Sequence, residues 1–153
     1  MSSDKAANSQ EGLVSVPEAL DFQQESQALA ERLTDLTDTE LTTTTAFKQW
    51  TLNDIIAHLH FFNLMAHYSL VDETRFASEM KVMSERRAGG QSMVQATDEL
   101  LNGLHGHALL EAWQQTISEM TPLWAKADAR QRLQWVGPTM SVRSSISARL
   151  MET

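Results

Sequence analysis

Chain-breaking residues are scarce, and this constrains the fold more than any other feature of the sequence. Only three prolines and six glycines occur in 153 residues. Between them the apolar residues follow the spacing of a helix face and do not alternate as in a half-buried strand. No cysteine is present, which excludes disulfides, thiolate metal sites and a cysteine nucleophile. The sequence therefore predicts an all-α protein, with enough residues for one domain.

The charge balance limits the partners that this chain can bind. Twelve Lys and Arg stand against 20 Asp and Glu, a net charge of −8, whereas nucleic acids and anionic membranes need a basic surface. No apolar run approaches the roughly 20 residues of a membrane span, and Met1 to Gly12 lack the apolar core of a secretory signal. We expect a flexible leader over residues 1–14, one domain over residues 15–153, a cytoplasmic location and no nucleic-acid or membrane partner.

The first half of the chain contains clear helix signals. The first helix is predicted from Val16 to Leu36, with a proline in its first turn. The connection Thr37–Gln49 is predicted to be extended because it contains four consecutive threonines, which are β-branched. Thr51 and Asp54 form an acidic variant of the capping box and mark the start of the second helix.

The second half is predicted to hold further helices separated by glycine and proline. The second helix should end near Val71, and Asp72 should cap another that ends at Gly89–Gly90. The region Met93–Ala127 should form two pieces, interrupted by two glycines and bent or split near Pro122.

The end of the sequence predicts a turn and a last helix. Gly137 and Pro138 should make the turn, and Ser141 should cap a helix that carries Val142, Ile146 and Leu150. No glycine, asparagine or proline stop signal follows, so either the sequence is cut within this helix or the helix frays at a true terminus.

Histidines are the first candidates for chemistry. The sequence contains His58, His60 and His67 on the second helix and His105 and His107 on either side of Gly106. At 100° per residue, His58 lies on one edge of the apolar face, while His60 and His67 lie near the other edge and are predicted to be half-exposed. The glycine-flanked pair resembles a metal-binding tract, but a solvated turn explains it better.

Two residues are candidate metal ligands, each with a simpler alternative. His58 can face the bundle interior, with Asp54 bracing its second ring nitrogen or only capping the helix. A hydrogen-bonded histidine at the edge of the core would have the same pattern. Glu152 lies at the edge of the apolar stripe of the last helix, where a solvated glutamate is the ordinary case. No Gly-x-Ser-x-Gly elbow or phosphate-binding glycine loop is present.

Two segments, in order, resemble a known family. Residues 50–59, WTLNDIIAHL, resemble the W-T-x-x-D-x-x-A-H-L signature of the DinB-like and mycothiol-dependent maleylpyruvate isomerase superfamily. Residues 135–141, WVGPTMS, and 148–153, ARLMET, are similar to the W-x-G-P-x-M-S and A-R-L-M-E-T-W-A-H-G motifs of one actinobacterial branch. The likeness covers nearly the whole chain.

The resemblance implies a fold and a metal centre. The fold is a DinB-like four-helix bundle with an extra short helix, its last helix truncated. The centre is a divalent metal, zinc in the first instance, with His58 and Glu152 as ligands. The third ligand of the family, a histidine four residues after that glutamate, would fall at position 156, beyond this sequence.

The resemblance also implies a reaction class, and a second hypothesis competes with it. Family members that carry a complete site use the metal to activate a thiol or a water, so a mycothiol-dependent isomerase or transferase acting on a small-molecule substrate is expected. The alternative is a non-catalytic helical module for homodimerisation or partner binding, because a shortened last helix leaves apolar surface uncovered.

Overall fold

A computed structural model describes residues 14–153 of the chain. The predicted leader falls outside these residues except for its last position. The described residues form seven helices and two strands, in the order α1 (Glu18–Leu33), α2 (Asp38–Leu41), α3 (Leu52–Val71), α4 (Glu73–Ala88), α5 (Met93–Leu100), α6 (Gly106–Ala125), β1 (Arg132–Trp135), β2 (Gly137–Ser141) and α7 (Val142–Glu152).

Four of the helices pack around one core, which confirms the prediction of an all-α bundle. Helices α1 and α3 both pack against α6 and α7. The core between them includes Phe22, Leu59, Trp113, Trp124 and Ile146, all of which are buried. Among the described residues no helix combines the length and the apolar character needed to cross a bilayer.

A second layer lies on the outer side of α3. Helices α4 and α5 pack against α3 around a smaller core of Phe61, Met65, Phe76, Met83 and Ala96. Strands β1 and β2 form an antiparallel hairpin beside it. Its Trp135 stacks on Phe76, with ring centroids 5.8 Å apart, so the hairpin is fixed to this layer by an aromatic contact.

The predicted caps are confirmed. At the start of α3, the Asp54 N–H donates to Thr51 Oγ1 and the Thr51 N–H donates to Asp54 Oδ2, both over 3.0 Å. The Asp72 and Ser141 side chains accept hydrogen bonds from the first turns of α4 and α7. Each satisfies a backbone donor that has no partner within its helix.

Two predictions for the first 50 residues need correction. Helix α1 begins at Glu18 and ends at Leu33, so it is shorter at both ends than predicted. The connection after it contains α2, because Thr37 and Glu40 form a reciprocal capping box. The helix ends at Leu41, before all four consecutive threonines, so their poor helix propensity does not oppose the cap.

Two predictions for the second half are also wrong in part. Helix α6 continues through Pro122, and the break falls before it, in residues 101–105. Pro122 is exposed, and the carbonyl that loses its helical partner belongs to the exposed Ser118, so water can satisfy it. Gly137 and Pro138 are the first residues of strand β2. This strand forms a hairpin with β1, which helical spacing could not reveal.

Among the described glycines, Gly106 has the least room for a larger residue. Its φ of +62° is left-handed, and an added Cβ would lie 2.8 Å from Asp38 Oδ1. We expect Gly106→Ala to reduce the free energy of unfolding by about 2 kcal/mol, because the strained backbone and the clash with Asp38 both destabilise the folded state. Gly103→Ala is the matched control, because its φ is +71° but no atom lies within 4 Å of its added Cβ. If urea unfolding shows that the two variants lose the same free energy of unfolding, the close approach to Asp38 does not destabilise the protein.

Candidate metal centre

A tight turn before α3 forms one wall of the candidate site. Thr44 and Thr51 form an antiparallel bridge, and the Thr45 N–H and Oγ1–H both donate to the carbonyl of Trp50 over 2.7 Å. Lys48 and Gln49 at its tip have left-handed backbone, with φ of +50° and +58°. The turn thereby places the Trp50 ring against the first turns of α3.

His58 lies at the centre of the site, on the second turn of α3. Its ring is half-buried between Trp50 and Phe62, with centroid distances of 5.3 and 4.7 Å. Its Nδ1 is buried and has no hydrogen-bond partner among the described residues. Asp54 caps the helix and does not brace this ring. The other ring nitrogen, Nε2, lies 4.0 Å from Oε2 of Glu152.

Glu152 reaches His58 from the last turn of α7. Its side chain is 50% exposed, and Arg149 Nη2 donates to the same oxygen that faces His58. Arg149 itself is only 2% exposed, and its guanidinium carbon lies 5.9 Å from the centroid of the Phe62 ring. A buried arginine thus holds the carboxylate at the site by a charge-assisted hydrogen bond.

The surroundings of His58 favour its neutral form. Burial lowers the pKa of His58, and the Glu152 carboxylate opposes this. The positive charges of Arg149 and Lys48 lower the pKa further. A neutral imidazole is the form that binds a metal, so His58 is ready to act as a ligand at neutral pH.

A cavity of about 390 Å³ opens beside the two candidate ligands. Its lining consists of Phe47, Lys48, Trp50, Ile55, His58, Leu59 and Glu152. This volume is in the range of small-molecule sites, and the walls are mostly apolar with a few polar groups.

The other histidines lie elsewhere. His60 was predicted to be half-exposed but is only 4% exposed, because α3 packs against α4 and α5 as well as against α6 and α7, which leaves little of its surface uncovered. His67 is half-buried as predicted and accepts a hydrogen bond from Trp124 Nε1 over 3.2 Å. His105 and His107 are exposed at the start of α6, where His107 Nδ1 lies 2.6 Å from Asp38 Oδ1.

The structure brings together the two side chains that the resemblance implies as ligands, His58 and Glu152, at a distance of 4.0 Å. Residues 14–153 contain no group of three or more His, Asp or Glu side chains that could hold a metal ion. His58 and Glu152 supply one nitrogen and one carboxylate, both common zinc ligands. His58 Nδ1 has no hydrogen-bond partner among the described residues, and Nε2 lies 4.0 Å from Glu152 Oε2, so neither ring nitrogen is held by a close hydrogen bond.

Two residues of the site were not singled out in the sequence. Arg149 follows Val142 by seven residues and Ile146 by three, so it occupies a core position of α7. A charged residue at a core position can be recognised from the sequence, and it indicates a partner, because charged side chains are rarely buried unless they are paired. Lys48 belongs to an irregular turn, and no periodic pattern could have identified it.

Comparison with known proteins supplies a family. The sequence profile described as "Mycothiol maleylpyruvate isomerase N-terminal domain" matches residues 22–153. Two Mycobacterium tuberculosis proteins, "Uncharacterized protein MT0041" of strain CDC 1551 and "Uncharacterized protein Rv0036c" of strain H37Rv, are each 34% identical over 105 residues. These matches cover 68% of this chain and 39% of each relative, so the matched region spans about two fifths of those proteins. No solved structure matches significantly.

Proposed function

Because the chain belongs to the mycothiol maleylpyruvate isomerase N-terminal domain family, we propose that it binds a divalent metal, zinc in the first instance, through His58 and Glu152. The observation that carries the proposal is the 4.0 Å between His58 Nε2 and Glu152 Oε2, beside a cavity of ligand size. Two donors of a tetrahedral zinc ion lie about 3.3 Å apart, so the two side chains would have to approach each other by about 0.7 Å to share one ion.

Each side chain has a separate part in the proposed site. His58 offers a neutral ring nitrogen, because burial lowers its pKa. Arg149 holds Glu152 in place, and the cavity admits the ligand that reacts. A bound divalent metal supplies Lewis-acid chemistry, which deprotonates a thiol or a water near neutral pH. The reaction we propose is an isomerisation or transfer with mycothiol as cosubstrate.

Metal uptake by matched variants tests this proposal. We expect the EDTA-stripped protein to regain zinc or cobalt on dialysis, as measured by elemental analysis and by competition with a chromophoric chelator. His58→Ala should weaken the binding by about 100-fold or more, because a ligand matters at least as much as the residues that orient it. His105→Ala, an exposed histidine outside the site, should bind as the unmodified protein does.

A second form of the protein makes a negative result interpretable. Appending the family's Trp-Ala-His-Gly continuation would place a histidine at position 156, one turn after Glu152, where i and i+4 side chains share a face. Metal uptake only by the extended form would mean that the third histidine is needed. If neither form takes up metal while circular dichroism shows both to be helical, the proposal is wrong.

One observation favours the non-catalytic alternative. Two apolar side chains on the segments that form the site are exposed, Phe47 at 55% and Met151 at 85%. Exposed apolar groups of this kind occur at contacts between proteins. A dimer in sedimentation velocity, together with no metal uptake by either form, would support a helical interaction module instead.

A further inference from the structure

The tip of the turn before α3 has a left-handed backbone conformation at two successive residues. Lys48 and Gln49 are consecutive non-glycine residues with positive φ, a conformation that L residues adopt rarely. Hydrogen bonds from Thr45 to Trp50 and from the Trp50 N–H to the carbonyl of Phe47 hold this shape. Positive φ at both central residues is the pattern of a type I′ hairpin turn, which glycine and asparagine form most readily. Here this turn places Lys48 in the wall of the cavity.

The charges around the cavity do not balance. The charged groups that act on His58 are Glu152, Arg149 and Lys48. Arg149 already pairs with Glu152, whereas Lys48 forms no ion pair with any carboxylate in residues 14–153. The rim of the cavity therefore carries one positive charge, on an exposed lysine that no carboxylate in these residues neutralises, and a bound divalent metal would add to it.

The position of the Lys48 ammonium suits a ligand contact. It lies 5.4 Å from the centroid of Phe47 and 5.6 Å from that of Trp50. These cation–π contacts restrict the side chain, and an ammonium group has three N–H donors to offer. The two rings give the same wall an apolar surface.

From this arrangement we propose that Lys48 is a specificity-determining residue, which anchors the anionic group of a small ligand whose apolar body packs on Phe47 and Trp50. The far end of that ligand would then lie toward His58 and Glu152. The inference rests on the proposed function, because it concerns the ligand of the same site. It needs no metal to be tested, since Lys48 is not one of the proposed metal ligands.

Benzoate and its neutral analogue benzamide are suitable probes. Both fit the aromatic wall, and only benzoate carries a negative charge. With EDTA-stripped, ¹⁵N-labelled protein at pH 7.5, we expect benzoate to shift the Trp50 indole resonance and to bind about tenfold more tightly than benzamide. Lys48→Met should remove this preference, with benzamide binding unchanged. Lys126→Met, an exposed lysine beyond α6, should keep it.

The outcomes separate this inference from the proposed function. Equal binding of the two probes by the unmodified protein, or a preference that survives Lys48→Met, would overturn the role of Lys48. Because the titration is done without metal, either result is independent of metal uptake. If the protein never binds metal but prefers benzoate in a way that depends on Lys48, the anion site is supported and the proposed metal centre is wrong.

Discussion

Replacing Trp124 with alanine is expected to lower the free energy of unfolding by about 4 kcal/mol, the largest single effect that we predict. Trp124 is fully buried, and its indole Nε1–H donates to His67 Nδ1 over 3.2 Å. The substitution would leave a cavity between α3 and α6 and an unpaired histidine nitrogen. Since domains of this size are stable by about 5–15 kcal/mol, much of the stability should be lost.

The neighbouring residue is a matched control for this prediction. Leu123 lies on the same helix but is 53% exposed, so Leu123→Ala should change the stability by no more than about 0.5 kcal/mol. Trp124→Phe keeps most of the volume and removes the hydrogen bond, so its loss should fall between the two. Urea unfolding followed by circular dichroism measures all three variants. Similar losses for Trp124→Ala and Leu123→Ala would contradict the packing of α6 against α3.

Acid should destabilise the protein through His60. Burial lowers the pKa of His60 to about 4, whereas a histidine in the unfolded chain titrates near pH 6.5. At a pH between these two pKa values, His60 is protonated in the unfolded state and neutral in the folded state. The free energy of unfolding therefore decreases as the pH falls from about 6.5 to 4. The loss should be about 2 kcal/mol at pH 5 and about 3 kcal/mol below pH 4. Above pH 6.5 this residue has no such effect.

The His60→Leu variant isolates this contribution. It should be less sensitive to acid than the unmodified protein by about 2 kcal/mol between pH 7.5 and pH 5. Burial also lowers the pKa values of His58 and His67, so some sensitivity should remain in the variant. His105→Leu, on an exposed segment, is the control. The same pH dependence in His60→Leu and the unmodified protein would show that His60 is not protected from protonation.

Sequence reasoning succeeded where the signal was local. The caps at Thr51, Asp72 and Ser141 are confirmed because each depends on contacts within one helical turn. Sequence reasoning failed where two local signals compete. It missed helix α2 because the threonines after Leu41 favour an extended chain, whereas the capping box of Thr37 and Glu40 favours a helix. The hairpin was missed because its strands are only four and five residues long, and its contact with the second layer joins Trp135 to Phe76, which lies far away in sequence.

The candidate site was predictable only in part for the same reason. Helical periodicity placed His58 and Glu152 on inward edges of two helices, and the family resemblance joined them as ligands. Periodicity could not place His60, because a polar residue on a helix flank is buried only when another helix covers it. The contribution of Lys48 depends on a strained turn, and that of Arg149 on the burial of a charge. Both are properties of the assembled bundle.

The two proposed ligands, His58 on α3 and Glu152 on α7, are ninety-four residues apart in sequence. Closing so long a loop costs more entropy than forming the contacts within either helix, so the pair should meet late in folding, after α3 has formed. An ion that binds only the completed pair stabilises the native state and not the folding transition state. Zinc should therefore slow the unfolding of this protein and leave its refolding rate nearly unchanged.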